Sequence, residues 1–132
     1  VTTSSALAIL GENYRFTTTL EYDGSISDGT LYGNIYIKGT GDPMLGSDEV
    51  KDNEHPKVKT MESLLTTFVT ELQKLGINKI EGKIVGDDSF FGSTQLVPST
   101  WQWNDLGNYY GSGASALNFH ENLYYLYLFL NN

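Results

Sequence analysis

Two adjacent carboxylates, Asp87 and Asp88, follow the predicted strand Lys79–Val85 and precede the ring pair Phe90 and Phe91. Paired carboxylates can act as a general acid and base, or bind a cation together. Consecutive strand residues point to opposite faces of a sheet, so the two share one site only if the turn redirects one of them. We therefore favour a turn at the end of a strand in which one aspartate caps the backbone, while one carboxylate facing a substrate amine remains a reasonable recognition element.

Aromatic residues and glycines are concentrated between Trp101 and Gly111. Tryptophan and tyrosine rings stack on sugars or cover a bound peptide, but they also hold long loops in place as a small satellite core. The sequence leaves both interpretations open for Trp101, Trp103, Tyr109 and Tyr110. The first interpretation would make the chain a stand-alone glycan- or peptide-binding module that uses the Trp101–Tyr110 loop.

A serine nucleophile requires an activating base, and the chain contains none of the usual motifs that supply one. No serine has a lysine three residues later, no Ser-x-Asn or Gly-x-Ser-x-Gly occurs, and the nearest approach to Lys-Thr-Gly is the scrambled Lys38-Gly39-Thr40. The sequence therefore predicts that this chain does not catalyse acyl transfer alone.

The two histidines, His55 and His120, are too few and too badly placed to predict a metal site, and no cofactor is implied. We expect His120-Glu121 to form an exposed pair.

The stretch Gly39–Pro43 is similar to a phosphate-binding loop, but it lacks a following Gly-Lys-Ser/Thr and is interpreted as a structural turn.

The composition describes an acidic chain with enough apolar residues for a core. Its formal net charge is −8, 39% of its residues are hydrophobic, and Arg15 is its only arginine. Nucleic acid is disfavoured because a phosphate-binding surface needs clustered lysine and arginine. No apolar run is long enough to span a bilayer, and no signal peptide is evident at the N-terminus.

Periodicity predicts an α+β domain with an antiparallel or mixed sheet of about four to five strands and one main amphipathic helix packed on it. The helical patterns are Thr2–Leu10 and Thr60–Leu75, the latter capped by Thr60 and ended by Gly76. Ser47–Lys59 is predicted as an exposed loop and Ser93–Gly113 as irregular structure. The predicted strands are Tyr14–Tyr22, Thr30–Lys38, Lys79–Val85 and a central Leu123–Leu130.

The order of motifs resembles the D-alanyl-D-alanine carboxypeptidase/endopeptidase family of low-molecular-mass penicillin-binding proteins, in the class with a large inserted domain. The motifs that carry this resemblance are Thr2–Gly11 with Tyr14–Thr18, Asp28–Gly39 with Gly41-Asp42-Pro43, Ile80–Gly82 through Gly86–Ser89, Trp101–Leu106 and Asn118–Asn122. The resemblance implies a serine-type peptidase of bacterial cell-wall metabolism, periplasmic or exported, that acts on peptidoglycan stem peptides and is acylated by β-lactams.

The resemblance also implies a division of the chain and a set of site residues. Residues 1–11 match the end of the nucleophile helix and residues 12–132 the insert, so the missing catalytic motifs are expected outside 1–132, on an absent catalytic domain. The chain is then a non-catalytic fragment that shapes the substrate cleft, and self-association through its truncated first helix is expected. The implied substrate-binding residues are Asp87, Asp88, Phe91 and Trp101.

Overall fold

The computed structural model describes residues 1–48, 59–92, 97, 99–124 and 126–130. The described chain has two α-helices, α1 (Thr2–Leu10) and α2 (Met61–Lys74), and four short 3-10 helices, Ser89–Phe91, Trp103–Asp105, Tyr109–Gly111 and His120–Asn122. It also has six short strands: β1 (Thr19–Tyr22), β2 (Ser25–Ser27), β3 (Thr30–Tyr32), β4 (Ile35–Lys38), β5 (Lys79–Glu81) and β6 (Ile84–Asp87). The predicted α+β class is confirmed.

The strands form two three-stranded sheets, in the orders β1-β4-β6 and β2-β3-β5. In each sheet the first pair is antiparallel and the second pair is parallel. Parallel neighbours need a crossover connection, and the stretch that contains α2 supplies it for both sheets. The strands are shorter and more numerous than predicted, because Thr30–Lys38 is divided at Gly33 and Asn34, and Lys79–Val85 at Gly82 and Lys83.

Helix α2 begins and ends where its local signals predicted. The hydroxyl of Thr60 accepts a hydrogen bond from the backbone amide of Ser63, which is an N-cap. Gly76 has a φ of 81°, and the amide of Ile77 donates to the carbonyl of Leu72 at 3.0 Å, as in a Schellman motif. This arrangement turns Ile77 inward, where it is 3% exposed.

The core of the sheets is small and consists of Leu31, Ile35 and Ile77, each 3% exposed or less. Leu31 comes from β3 and Ile35 from β4, so the core spans the boundary between the two sheets. The half-buried side chains that pack against it are Leu20, Leu72 and Ile80.

The predicted helix Thr2–Leu10 is confirmed as α1, but none of its residues is buried. The prediction of a central strand over Leu123–Leu130 is wrong for the residues that the structure describes. Residues 123, 124 and 126–130 have no regular secondary structure, and the side chains of residues 126–130 are between 73% and 95% exposed. An apolar run indicates a segment suited to burial, but it does not identify the strand with which that segment would pair.

Candidate functional site

Asp87 lies at the end of β6 and holds the turn that follows it. Its Oδ1 accepts a hydrogen bond from the Ser89 amide at 2.9 Å, and its Oδ2 lies 4.0 Å from the Lys38 ammonium. Hydrogen bonds from the Ser89 side chain and amide, with Lys38 nearby, lower the pKa of Asp87. This geometry matches the interpretation in which one aspartate caps the turn.

Asp88 is exposed and its carboxylate points toward a different part of the chain. Its Oδ2 accepts a hydrogen bond of 3.1 Å from the hydroxyl of Ser115. Because Asp87 is engaged in the turn, Asp88 is the member of the pair with an oxygen available to a ligand. The two carboxylates therefore have different contacts, Asp87 within the turn and Asp88 with Ser115, and they do not form an acid and base pair.

The ring of Phe91 packs against the α-carbon of Gly41, where any side chain would collide with it. Gly41 has a φ of 95°, a conformation that favours glycine. Phe90 and Phe91 meet edge to face, with ring centroids 5.5 Å apart. The stretch after β4 thus supports the aromatic side of the turn, a contact that the sequence alone did not indicate.

Residues 113–118 form the other wall beside Asp88. The amide of Gly41 donates to the carbonyl of Ala116 at 2.6 Å, which ties this segment to the end of β4. Asn118 is 8% exposed, accepts from the Ser115 amide at 2.9 Å and donates to the Ser115 carbonyl at 2.8 Å. Sequence reasoning missed Ser115 and Asn118, because their importance comes from contacts between distant segments.

A cavity of about 310 Å³ adjoins Ser115. It is lined by Val97, Gly113, Ser115, Leu117 and Asn122. A larger cavity of about 430 Å³ lies between β1 and α2 and contains none of the predicted site residues. The smaller cavity is more relevant to binding, because Ser115 connects it to a carboxylate.

Ser115 is not an activated nucleophile in this arrangement. Among the described residues, the hydrogen bond that its hydroxyl donates goes to Asp88, with no lysine or histidine in the position of a base. The described part of the chain also contains no group of three or more histidine, aspartate or glutamate side chains able to hold a metal ion. The exposed Asp88 carboxylate can bind a hydrogen-bond donor or a cation.

Trp101 and Trp103 lie on the irregular stretch after the carboxylate turn, and they are 38% and 86% exposed. Asn108 holds this loop by donating from its amide to the carbonyls of Asn104 and Asp105, at 2.9 and 3.4 Å. Asp87, Asp88 and Phe91 are brought together in one turn, whereas Trp101 belongs to this separate loop. Apart from two short 3-10 helices, Trp103–Asp105 and Tyr109–Gly111, the described residues of Ser93–Gly113 are irregular, as predicted.

The prediction of an exposed His120-Glu121 pair is wrong. The side chain of His120 is only 12% exposed, and its Nδ1 lies 3.6 Å from Asp48 Oδ2 and 3.8 Å from Glu121 Oε2. The backbone of His120, Glu121 and Asn122 is left-handed, with φ between 51° and 55°. Ser47 is also buried, contrary to the loop prediction, while His55 lies outside the described residues.

We expect the stability of the chain to fall on acidification, through carboxylates whose pKa is lower in the folded state than in the unfolded state. Such a group contributes stability above its unfolded pKa, near pH 4, and the contribution is lost as pH falls through the folded pKa. Asp87 is one such group, and Asp87→Asn should lower the urea midpoint at pH 7 while reducing the further drop on going to pH 3. If the urea midpoint of Asp87→Asn fell between pH 7 and pH 3 by as much as that of the unsubstituted chain, this assignment would be contradicted.

Comparison with known proteins identifies the family. The model of the D-Ala-D-Ala carboxypeptidase 3 (S13) family matches residues 1–132. The chain belongs to this family. The resemblance on the five sets of motifs is thereby confirmed, and the irregular loop and the carboxylate turn are parts of an S13 sequence.

Curated relatives and a solved structure agree with this membership. The D-alanyl-D-alanine carboxypeptidase DacB of Haemophilus influenzae is 33% identical over 130 residues, covering 98% of this chain and 24% of the relative. The penicillin-sensitive carboxypeptidase A of Dictyostelium discoideum is 28% identical, covering 99% of this chain and 24% of the relative. The crystal structure of penicillin binding protein 4 from Haemophilus influenzae matches with a TM-score of 0.71 and 33% identity, covering 92% of this chain and 23% of that chain.

This S13 chain thus spans about a quarter of the length of the relatives that it matches. No described helix is long and apolar enough to cross a membrane.

Proposed function

We propose that this S13 chain is a non-catalytic region of a serine-type D-alanyl-D-alanine peptidase, in which it shapes the cleft for peptidoglycan stem peptides. The observation that carries the proposal is the geometry of Asp88. This carboxylate is exposed just after the parallel pair β4–β6, and its Oδ2 accepts a hydrogen bond from Ser115, which lines a cavity. The activity itself is assigned to a catalytic domain, which is the proposed partner, in an exported or periplasmic enzyme.

The proposed ligand of Asp88 is the amino group on a stem-peptide side chain. A carboxylate stabilises an ammonium group by a charge-assisted hydrogen bond, and the chain's net charge of −8 favours a cationic ligand. Phe91 supplies an apolar surface on the same turn, and we place Trp101 at the outer edge of the same cleft. Asp87 is proposed to act indirectly, by fixing the turn.

The experiment uses the intact peptidase that contains this chain. Asp88→Asn should lower kcat/KM about tenfold for a stem peptide with a free side-chain amine, the cost of one hydrogen bond to a charged group. The same variant should leave hydrolysis of the side-chain-acetylated peptide unchanged. Asp28→Asn is the matched control, because it removes one exposed carboxylate in the β2–β3 turn. Equal losses on both peptides would contradict the amine assignment.

A second candidate function is favoured by the 86% exposure of Trp103 on its hydrogen-bonded loop. The chain would then be a stand-alone module that binds glycan or peptide through the Trp101–Tyr110 loop. Titration of peptidoglycan fragments against tryptophan fluorescence separates the two proposals. Saturable binding that is lost in Trp103→Ala supports the module, and no binding supports a region that works only with its catalytic domain.

The proposal also includes a contact surface formed by α1. Leu7, Ile9 and Leu10 are 60%, 81% and 52% exposed, which is unfavourable for apolar side chains in water. We propose that they pack against the catalytic domain in the intact enzyme, and that the chain self-associates through α1 when it is alone. A monomer by light scattering at high concentration would contradict the second part.

A further inference from the structure

The two sheets are the halves of one bent sheet. The antiparallel pairs β1–β4 and β2–β3 share a single register, and so do the parallel pairs β3–β5 and β4–β6. Each strand therefore continues across the gap without insertion or slip, and Gly33 lies between Gly24 and Gly82 at the break. Such a continuous register means that the break is a local distortion of a three-stranded sheet.

Glycine is required along this row because backbones approach each other closely there. A Cβ at Gly24 would collide with the carbonyl of Tyr32, and one at Gly82 with the carbonyl of Gly33. The central glycine, Gly33, would collide with the carbonyl of Asp23. Close approach of neighbouring backbones is a typical reason for glycine inside a strand.

At the break, side chains of Asp23 and Asn34 occupy places that backbone groups hold elsewhere in a sheet. Asp23 Oδ1 accepts from the Asn34 amide at 2.6 Å, and Asp23 Oδ2 accepts from Asn34 Nδ2 at 3.0 Å. Asn34 Oδ1 in turn accepts from the amide of Lys83 at 3.0 Å. The Asp23–Asn34 pair thus connects all three strands where side chains replace part of the regular ladder, while the amides of Asp23, Gly33 and Ile35 still donate to backbone carbonyls of the neighbouring strands.

Tyr36 reinforces this pair by donating its hydroxyl to Asp23 Oδ2 at 2.8 Å. Asp23 therefore accepts three hydrogen bonds, which makes it a fixed anchor although it is exposed. The hydrogen bonds from Asn34 and Tyr36 also lower the pKa of Asp23, so it is ionised at neutral pH.

We propose that the Asp23–Asn34 pair is a positioning device for the carboxylate turn, a role that rests on the function proposed above for Asp88. Lys83 immediately precedes β6, and β6 runs beside β4 to the register pair of Lys38 and Asp87. At about 3.3 Å per residue, the turn lies about 13 Å from the pair along a single strand. The hydrogen bond from the Lys83 amide to Asn34 acts together with the 2.9 Å hydrogen bond from the Ile35 amide to the Lys83 carbonyl, and the two set where β6 begins and therefore where Asp87 and Asp88 are presented.

Two amides report on the turn without any substrate. The Gly39 amide donates to the Asp87 carbonyl at 3.2 Å, and the Ser89 amide donates to Asp87 Oδ1 at 2.9 Å. Their hydrogen-exchange protection factors can be measured by NMR on the full chain. In Asn34→Ala we expect both to fall about tenfold, because β6 loses the side-chain hydrogen bond at its start and keeps there the backbone hydrogen bond from the Ile35 amide to the Lys83 carbonyl. Thr70→Ala, which removes a 2.8 Å hydrogen bond within α2, is the control and should change neither.

Asn34→Asp provides a second test that does not depend on the tolerance of alanine. Its introduced carboxylate faces Asp23 and repels it at neutral pH, so protection at Gly39 and Ser89 should be low. The introduced carboxyl has a raised pKa beside another carboxylate, so it becomes a donor and restores protection as pH falls towards about 5. This pH-dependent rescue is not expected for a residue that merely fills space.

Two results would overturn the proposal. One is wild-type protection at Gly39 and Ser89 in Asn34→Ala. The other is a loss of hydrogen-exchange protection at the Leu64 and Ile77 amides that equals the loss at Gly39 and Ser89 in both variants, with no recovery of Asn34→Asp on acidification. That result would indicate that Asn34 stabilises the whole chain. The exchange measurement involves no substrate, so its outcome is independent of the kcat/KM measurement on Asp88→Asn. Failure of one of the two experiments therefore leaves the result of the other intact.

Discussion

Gly39→Ala is expected to destabilise the chain by about 3 kcal/mol, at the upper end of the cost of overpacking a well-packed site. Gly39 is buried directly after β4, and a Cβ there would collide with the carbonyl of Ala116 and approach the α-carbon of Leu117. Both obstacles are backbone atoms, so they cannot rotate away. The segment that carries Ser115 would have to move, and the Ser115–Asp88 hydrogen bond would be lost with it.

Gly86→Ala is the matched control for this experiment. Gly86 lies in the neighbouring strand β6, and a Cβ there would meet only the Cδ2 atom of Leu117, at 3.0 Å. The end of a leucine side chain can shift, so we expect a loss below about 1 kcal/mol. Urea denaturation of both variants checks the prediction. Equal urea midpoints for the two would show that the end of β4 is not tightly packed against residues 113–118.

Leu31→Ala is expected to cost about 3 kcal/mol, within the range for truncating a buried leucine. Leu31 is 0% exposed and belongs to the small core with Ile35 and Ile77, so few neighbours are available to fill the cavity. A domain of this size is typically stable by about 5 to 15 kcal/mol, and the variant should therefore lose a large share of its stability. Thermal and urea unfolding should both show the loss.

Ile84→Ala controls for the general effect of removing an apolar side chain from a strand. Ile84 is the first residue of β6 and is 67% exposed, so its truncation should cost less than about 1 kcal/mol. A cost for Ile84→Ala that equals the cost for Leu31→Ala would mean that the boundary between the two sheets is not where the stabilising core lies.

The helices could be predicted from the sequence because their signals are local. The capping hydroxyl of Thr60 and the left-handed Gly76 lie at the two ends of α2, and each performs its predicted role; Ile77, the next residue, completes the C-terminal cap. The same holds for Asp87, whose capping contact reaches only to Ser89. Hydrogen bonds that close within two to five residues are visible in the order of residue types.

The division of the strands could not be predicted in the same way. The alternation of side chains across Thr30–Lys38 continues through Gly33 and Asn34, so the sequence does not indicate a break. The break becomes visible only in the hydrogen bonds that Asn34 makes with Asp23 and with the Lys83 amide. A break of this kind depends on three segments meeting, which no single stretch of sequence encodes locally.

The residues that hold the candidate site in place also come from segments that are distant in sequence. Ser115 reaches Asp88 across 27 positions of sequence, and Phe91 rests on Gly41. His120 is largely buried near Asp48, although its polar neighbours in sequence favoured exposure. Asp88 and Phe91 were predicted from the sequence as candidate binding residues, but the segments that they contact were not, and both Ser115 and the burial of His120 were missed.

The central claim is that this S13 chain takes part in substrate recognition and contains no catalytic centre of its own. Its most direct test is incubation of the chain with a fluorescent penicillin, followed by denaturing electrophoresis, with penicillin binding protein 4 of Haemophilus influenzae as the positive control. We predict covalent labelling of the control and none of the chain, because its sequence has no Ser-x-x-Lys, Ser-x-Asn or Lys-Thr-Gly motif to supply an activated serine. Covalent labelling of the chain, abolished by prior unlabelled penicillin, would contradict the claim.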